Sequence, residues 1–214
     1  MDRYPIRVTL LANAGVLIRY RDTALLLDGL FGRKDNPFSL LPPGCREAML
    51  RAEPPFERLD YLLFTHYHPD HFDPEMVRAL LERRRVKGLF YPKDESPAVQ
   101  KLSRWLRQEG IPCVPLCRDT DRAAIQIEPD ISVQAFMVPH LGEEYRAVPH
   151  VCYLLTFDGR RVLFTADSDY LHEDFSRLAD TPLYAVFLNP LFYQAYYNTR
   201  LFHGHFDTDT LCVY

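Results

Sequence analysis

The stretch Thr65–Asp73 reads THYHPDHFD, and the interpretation of the whole chain starts from it. Within it lie His66, His68, Asp70 and His71. Each of these side chains offers a nitrogen or oxygen lone pair to a borderline divalent metal such as zinc. Capping of the following helix is the alternative use of such a polar loop, but capping needs only one short polar group. The pattern therefore predicts a metal site.

This cluster lies between a predicted strand and a predicted helix. Leu59–Thr65 is a short apolar run with a β-branched end, which is typical of a buried strand. Pro74–Arg84 carries apolar residues at helical spacing, and Pro74 suits the first turn of a helix. The loop at the carboxyl end of a strand is where many α/β proteins place their active sites.

Composition limits the class of protein. With 214 residues, 47% of them hydrophobic, the chain can bury a sizeable core. The net charge of −4 gives no support for nucleic-acid binding. No apolar run is long enough for a membrane span, and no secretion signal is visible at the N-terminus. We expect a small-molecule substrate and no membrane or nucleic-acid partner, and the sequence leaves the oligomeric state open.

The cysteine pattern argues against a disulfide framework. The chain has 5 cysteines, widely dispersed and without a CxxC pair: Cys45, Cys113, Cys117, Cys152 and Cys212. An odd, dispersed set of this kind suits a reducing compartment, so we expect a cytoplasmic protein.

The remaining patterns predict two sets of strands, each followed by helices. The expected strands are Ile6–Leu11, Val16–Tyr20, Ala24–Asp28, Val86–Tyr91, Val114–Leu116, Ala124–Ile127, Ile131–Val138, Val151–Phe157, Arg161–Thr165, Leu183–Leu188 and Thr210–Tyr214. The expected helices are Cys45–Ala52, Pro97–Gln108 with Ser96 as its cap and Gly110 as its stop, and His172–Leu178. This order fits two sheets packed face to face with helices outside.

Further metal donors follow two later strands. His140 comes just after the strand Ile131–Val138, and Asp167 follows Arg161–Thr165. Both side chains lie at strand ends, from which they can reach a shared pocket. His150 is an alternative ligand, but His140 is favoured because it ends a strand, whereas His150 begins one.

With these residues, the chain resembles the metallo-β-lactamase superfamily. The HxHxDH signature is matched by His66, His68, Asp70 and His71, the later histidine by His140, and the bridging aspartate by Asp167. The opening VTLLANAGVLIRYRDTALLLDG is similar to the branch of ascorbate-phosphate lactonase-like hydrolases.

This resemblance covers essentially the whole chain and implies an α+β fold, a four-layer αββα sandwich of two mixed sheets with helices on the outer faces. It implies one domain over residues 1–214 and leaves open a natural C-terminal end past Tyr214. His66, His68 and His140 would hold one metal, Asp70 and His71 a second, and Asp167 would bridge the two. Asp28 would lie near the site without binding metal. Two zinc ions are expected, with iron or manganese as the alternatives.

The implied function is hydrolysis of a small ester, lactone or phosphoester. Two divalent ions lower the pKa of a shared water, so that a metal-bound hydroxide is available for attack near neutral pH. Asp70 would be the catalytic residue, taking a proton from the intermediate or leaving group as well as binding metal. The alternatives are a phosphodiesterase or ribonuclease of the same superfamily and a non-catalytic ligand-binding member. Iron redox chemistry is less favoured, because nitrogen-rich ligation suits zinc.

The chain departs from the family pattern at two places. The family usually has glycine before the bridging aspartate, where this chain has Ala166, and alanine is tolerated there if its φ is negative. The second metal also normally takes a final histidine after a late strand. His203, His205 or a residue beyond Tyr214 could supply it, or the second site is incomplete. The aromatic stretch Phe192–Asn198 either packs or contacts substrate.

Overall fold

The computed structural model describes residues 4–32, 38–118, 123–169, 175, 178, 182–188 and 206–213, the last segment by its backbone alone. Two compact units divide the chain, Met1–Leu116 and Cys117–Tyr214. The single domain expected over residues 1–214 stays a prediction. No helix among the described residues is long and apolar enough to cross a membrane.

The first unit contains a six-stranded mixed sheet. Its strands follow each other in chain order: β1 (Ile6–Leu10), β2 (Val16–Tyr20), β3 (Thr23–Leu27), β4 (Tyr61–Leu63), β5 (Gly88–Pro92) and β6 (Cys113–Leu116). The strands β1 to β3 pair antiparallel, and β3 to β6 pair parallel. Because β3 and β4 run in parallel, Asp28 and the histidine-rich loop after β4 both follow the carboxyl ends of neighbouring strands.

Three helices accompany this sheet: α1 (Cys45–Arg51), α2 (Pro74–Leu81) and α3 (Pro97–Gln108). Helix α2 buries its apolar stripe, Met76, Val77, Leu80 and Leu81, in a core shared with Leu62 and Phe64. Helix α3 buries Val99, Leu102 and Leu106, and Trp105 packs against the same core.

The predicted N-cap position of α3 is confirmed at Ser96, although its side chain makes no cap hydrogen bond and its backbone N–H donates to Asp94 Oδ1 over 2.7 Å. The predicted end of α2 is wrong. Helix α2 ends at Leu81 rather than Arg84. The Arg84 guanidinium donates to the carbonyls of Met49, Phe56 and Glu57, so this residue secures the chain after α1 instead of extending α2.

The second unit contains another six-stranded mixed sheet, with the strands in the order β12-β11-β10-β9-β8-β7. They are β7 (Ala124–Glu128), β8 (Ile131–Met137), β9 (Val151–Phe157), β10 (Arg160–Phe164), β11 (Leu183–Phe187) and β12 (Phe206–Val213). The strands β7 to β10 pair antiparallel, whereas β10, β11 and β12 pair parallel. Asp158 and Gly159 form the two-residue turn between β9 and β10, and both have positive φ, 49° and 78°, as is typical of a tight hairpin.

The predicted α+β class with two mixed sheets is confirmed. Strand β4 is shorter than the predicted Leu59–Thr65, although Phe64 N–H still donates to Phe90 O over 2.9 Å beyond its assigned end. Strand β12 begins at Phe206, earlier than the predicted Thr210. The predicted helix His172–Leu178 lies outside the described residues, apart from Phe175 and Leu178.

Candidate metal centre

The histidine-rich loop of the first unit connects β4 to α2. Asp73 ends the loop and caps the helix, because its Oδ1 accepts from Glu75 N at 2.9 Å and Met76 N at 3.3 Å. Within the loop, the N–H groups of His71 and Phe72 both donate to His68 O at 3.0 Å. These hydrogen bonds form a tight turn within the segment that carries the four donor side chains.

The four donor side chains of this loop are close together and mostly buried. His66, Asp70 and His71 are 0%, 6% and 1% exposed, and His68 is half-buried. A ligand nitrogen of His66 lies within 4.8 Å of one of His68, and donor atoms of Asp70 and His71 are equally close to each other. The ring centroids of His66 and His71 are 4.0 Å apart. Such crowding of buried donors fits a bound cation.

Asp28, the residue after β3, contacts this loop and is fully buried. Its Oδ2 lies 2.9 Å from His71 Nδ1 and accepts from Thr65 Oγ1, while its Oδ1 accepts from Thr65 N at 2.8 Å. Burial raises the pKa of the Asp28 carboxyl above its usual value, and the hydrogen bonds with His71 and Thr65 work in the opposite direction. The expectation that Asp28 lies near the ligands is thus met within the first unit.

In the second unit, the predicted donors His140 and Asp167 are both buried. His140 follows β8 and forms an isolated bridge with Ser168. Its Nδ1 lies 2.7 Å from Leu141 O and its Nε2 lies 3.7 Å from Asp167 Oδ2. Because Nδ1 can donate to a carbonyl, Nε2 is left with the lone pair on the side of the carboxylate.

His150 lies close to His140 in this unit. It is 1% exposed, and the two ring centroids are 5.6 Å apart with ring planes at 84°. His150 directly precedes β9, as the sequence indicates, and the choice of His140 as the ligand stays a prediction. His203, His205 and the stretch Phe192–Asn198 lie outside the described residues.

The condition under which alanine is tolerated at position 166, a negative φ, is not met. The φ of Ala166 is +43°, in the left-handed region that alanine disfavours. The surrounding turn explains this conformation: Ser168 N–H donates to Thr165 O, and Leu141 N–H donates to Asp167 O over 2.9 Å. These contacts hold the backbone that presents Asp167, so Ala166 adopts the conformation that the turn requires.

Two residues near the donors, Thr65 and Tyr145, are not among the side chains whose sequence pattern predicts a metal site. Thr65 joins Asp28 to His66, since its Oγ1 also lies 3.0 Å from His66 Nδ1. Tyr145, in a short 3₁₀ helix (Glu143–Tyr145), places its ring centroid 5.1 Å from that of His140 and is 42% exposed. Only their positions beside predicted ligands could have pointed to them.

Comparison with curated proteins finds one relative from Streptomyces venezuelae, 4-amino-L-phenylalanyl-(CmlP-peptidyl-carrier-protein) 3-hydroxylase. It is 31% identical over 160 residues, which are 73% of this chain and 28% of that protein. The chain thus spans less than a third of the length of this relative.

Solved structures with a similar fold come from several organisms. CmlA, a diiron β-hydroxylase from Streptomyces venezuelae, matches with a TM-score of 0.60 and 25% identity over 88% of this chain and 35% of its own. The isothiocyanate hydrolase from Delia radicum gut bacteria gives 0.61, with 16% identity over 85% of this chain and 70% of its own. Igni18, a metallo hydrolase from Ignicoccus hospitalis, gives 0.57, with 15% identity over 86% and 70%.

The family comparison covers most of the chain. Residues 24–211 match the model of the beta-lactamase superfamily domain. This range leaves out β1, β2, the first residue of β3 and the last two residues of β12, and it includes every donor described above. The chain therefore belongs to the beta-lactamase superfamily domain family and has the metallo-β-lactamase fold.

Proposed function

We propose that this protein is a metal-dependent hydrolase acting on a small ester, lactone or phosphoester. The observation that carries the proposal is the buried set of histidine and aspartate donors, with Asp28 beside them. Membership of the family supports it, as does the likeness of the fold to proteins named as metallo hydrolases. The branch resembling ascorbate-phosphate lactonases remains part of this proposal.

The donor chemistry of the residues fits divalent metal ions. The Nδ1 atoms of His66, His71 and His140 each lie within 3.0 Å of an oxygen, so that each Nε2 can offer a lone pair. We assign His66, His68 and His140 to one ion, Asp70 and His71 to a second, and Asp167 to both. Nitrogen-rich ligation favours zinc, and iron or manganese are the alternatives.

When bound, such ions supply Lewis acidity and lower the pKa of a coordinated water toward neutrality. The protein's own groups then orient the donors and move protons. Asp70 Oδ2 lies 3.4 Å from His71 Nε2, and this carboxylate is 6% exposed. We assign Asp70 the uptake of a proton that must reach the leaving group, because its second oxygen can act while the first binds metal.

The test begins with elemental analysis of protein purified without added metal, followed by assays on a panel of lactones, thioesters and phosphodiesters. We expect about two zinc ions per chain and turnover of at least one class. Asp70→Asn should abolish most turnover while part of the metal remains. Protein with less than one metal per chain, and no loss of stability with a chelator, would overturn the proposal.

A second candidate is an oxygen-dependent hydroxylase with two iron ions. Its support is the 31% identity over 160 residues to the hydroxylase from Streptomyces venezuelae. Iron as the purified metal, together with oxygen consumption that depends on a reductant, would favour this candidate. Zinc with no oxygen uptake would exclude it and favour the hydrolase.

The remaining alternatives are a phosphodiesterase or ribonuclease and a non-catalytic binding protein. The net charge of −4 speaks against a nucleic-acid substrate. A flat response to RNA and to bis-aryl phosphodiesters would dispose of the first. For the second, Asp70→Asn is informative, since a binding protein should keep its ligand affinity when this carboxylate is neutralised.

A further inference from the structure

Thr65 occupies the centre of the contacts around Asp28 and is 0% exposed. Its backbone N–H donates to Asp28 Oδ1 over 2.8 Å, and its hydroxyl donates to Asp28 Oδ2. The same hydroxyl oxygen lies 3.0 Å from His66 Nδ1. One threonine hydroxyl therefore links the buried carboxylate of Asp28 to His66.

The number of protons in this network decides the direction of each hydrogen bond. A threonine hydroxyl has one proton to donate and lone pairs with which to accept. Since the Thr65 proton points to Asp28 Oδ2, the Thr65 oxygen accepts from His66. His66 must then carry its proton on Nδ1, and its Nε2 keeps the lone pair that a metal needs.

The tautomer of His71 is fixed by direct contact with Asp28. Its Nδ1 lies 2.9 Å from Asp28 Oδ2, the oxygen that also accepts the Thr65 hydroxyl. Asp28 Oδ2 thus fixes the tautomer of His71 by direct contact and that of His66 through Thr65. Both Nε2 atoms are therefore unprotonated, and each has a lone pair for a metal, already in the metal-free protein.

We infer that Thr65 is a positioning residue that selects the metal-binding tautomer of His66. Its hydroxyl donates to Asp28 Oδ2, so its oxygen is left to accept the Nδ1–H of His66. Without the hydroxyl, the neutral imidazole can carry its proton on either nitrogen, and the form protonated on Nε2 cannot bind metal through that atom. The inference rests on the proposed function only in taking His66 Nε2 as a metal donor.

The test compares Thr65→Val with Thr65→Ser. Valine keeps the β-branched shape and the backbone N–H donor to Asp28 Oδ1, but it removes the hydroxyl. Serine keeps the hydroxyl and loses one methyl group. Two quantities are measured for each: the zinc dissociation constant, by competition with a chromogenic chelator, and the His66 tautomer in metal-free protein, from long-range ¹H–¹⁵N spectra.

We expect Thr65→Val to weaken zinc binding about 10- to 100-fold, the range found when a partner of a metal-binding histidine is lost. Its His66 should show both tautomers, whereas Thr65→Ser should keep the Nδ1–H form and bind zinc within about threefold of the wild type. A valine variant with unchanged zinc affinity and an unchanged His66 spectrum would overturn the inference.

The wild-type protein provides an independent measurement if the valine variant does not fold. His66 protonated on Nε2 in the metal-free wild type would overturn the inference directly, and protonation on Nδ1 supports it. Failure of the proposed function is recognised separately, because a wild-type chain that binds no metal still has a readable His66 tautomer.

Discussion

His71 Nδ1 and Asp28 Oδ2 lie 2.9 Å apart although 43 positions separate these residues in the chain. The contact connects the residue after β3 to the loop after β4, two parallel neighbours in the first sheet. Both side chains are almost fully buried, with exposures of 2% and 0%. A buried carboxylate is costly unless it is hydrogen-bonded. The hydrogen bonds of Asp28 Oδ2 involve His71 and Thr65, which fits a role in orienting metal donors.

Replacement of this carboxylate should therefore reduce the affinity for metal more than it reduces the stability of the fold. We expect Asp28→Asn to raise the zinc dissociation constant about 10- to 100-fold, because the amide can no longer accept equally from His71 and Thr65. Chelator competition measures the change.

Asp60→Asn is a matched control for this prediction. Asp60 is a 7% exposed carboxylate in the same unit that accepts from Ala24 N over 2.9 Å and pairs with Arg58. Its replacement should lower the unfolding temperature and leave the zinc affinity unchanged. Equal loss of affinity in both variants would mean that Asp28 acts through general stability.

The sequence predicts the local elements of this fold well, for physical reasons. Helix α3 has the predicted bounds, because Pro97 starts it and Gly110, with φ of +64°, follows its end. The Asp158-Gly159 hairpin is equally local. The conformation of Ala166 is less local, since the turn that contains it is held in part by Leu141, a residue of a distant segment whose N–H donates to Asp167 O.

The same distinction applies to the candidate site. The spacing of the donors in Thr65–Asp73 is visible in one stretch of sequence, and so is the position of His140 after a strand. The contacts of Thr65 with Asp28 depend on β3 and β4 becoming neighbours, which no local pattern encodes. For this reason the donors were predictable, whereas the hydrogen bonds that orient them were not.

His140 and His150 offer a direct test of the ligand assignment. Both are buried in the second unit, at 2% and 1% exposure, so glutamine replacement perturbs packing to a similar degree. We expect His140→Gln to weaken binding of the first zinc by about 100-fold or more, beyond the effect of losing an outer partner. His150→Gln should keep the metal content. The reverse result would reassign the ligand to His150.

Tyr91 provides a test at alkaline pH, away from the donors. It is 2% exposed, and burial raises the pKa of its phenol above the usual value of 10.0, with a hydrogen bond to Ser103 working against this. Because the unfolded state then loses the proton first, Tyr91 contributes stability below about pH 10 that is lost as the pH rises through the folded-state pKa.

We therefore expect Tyr91→Phe to be destabilising at pH 8 and less so at pH 11, relative to the wild type at each pH. Because pH 11 lies about one unit above the usual phenol pKa of 10.0, the difference should shrink by at most roughly 1.4 kcal/mol between the two pH values. Urea unfolding at the two pH values measures it. A difference that stays constant with pH would contradict the assigned direction of the shift.

Ala166 allows the strain beside Asp167 to be measured. A left-handed conformation costs an L-residue roughly 1–2 kcal/mol, whereas glycine adopts it freely at an entropic cost of about 0.5–1 kcal/mol. With φ at +43°, Ala166→Gly should stabilise the protein by up to about 1 kcal/mol. Ala79→Gly, in the interior of α2, should instead destabilise it by about 1 kcal/mol. Opposite signs in urea unfolding would show that the turn presenting Asp167 holds Ala166 in a strained conformation, and equal destabilisation would show that it does not.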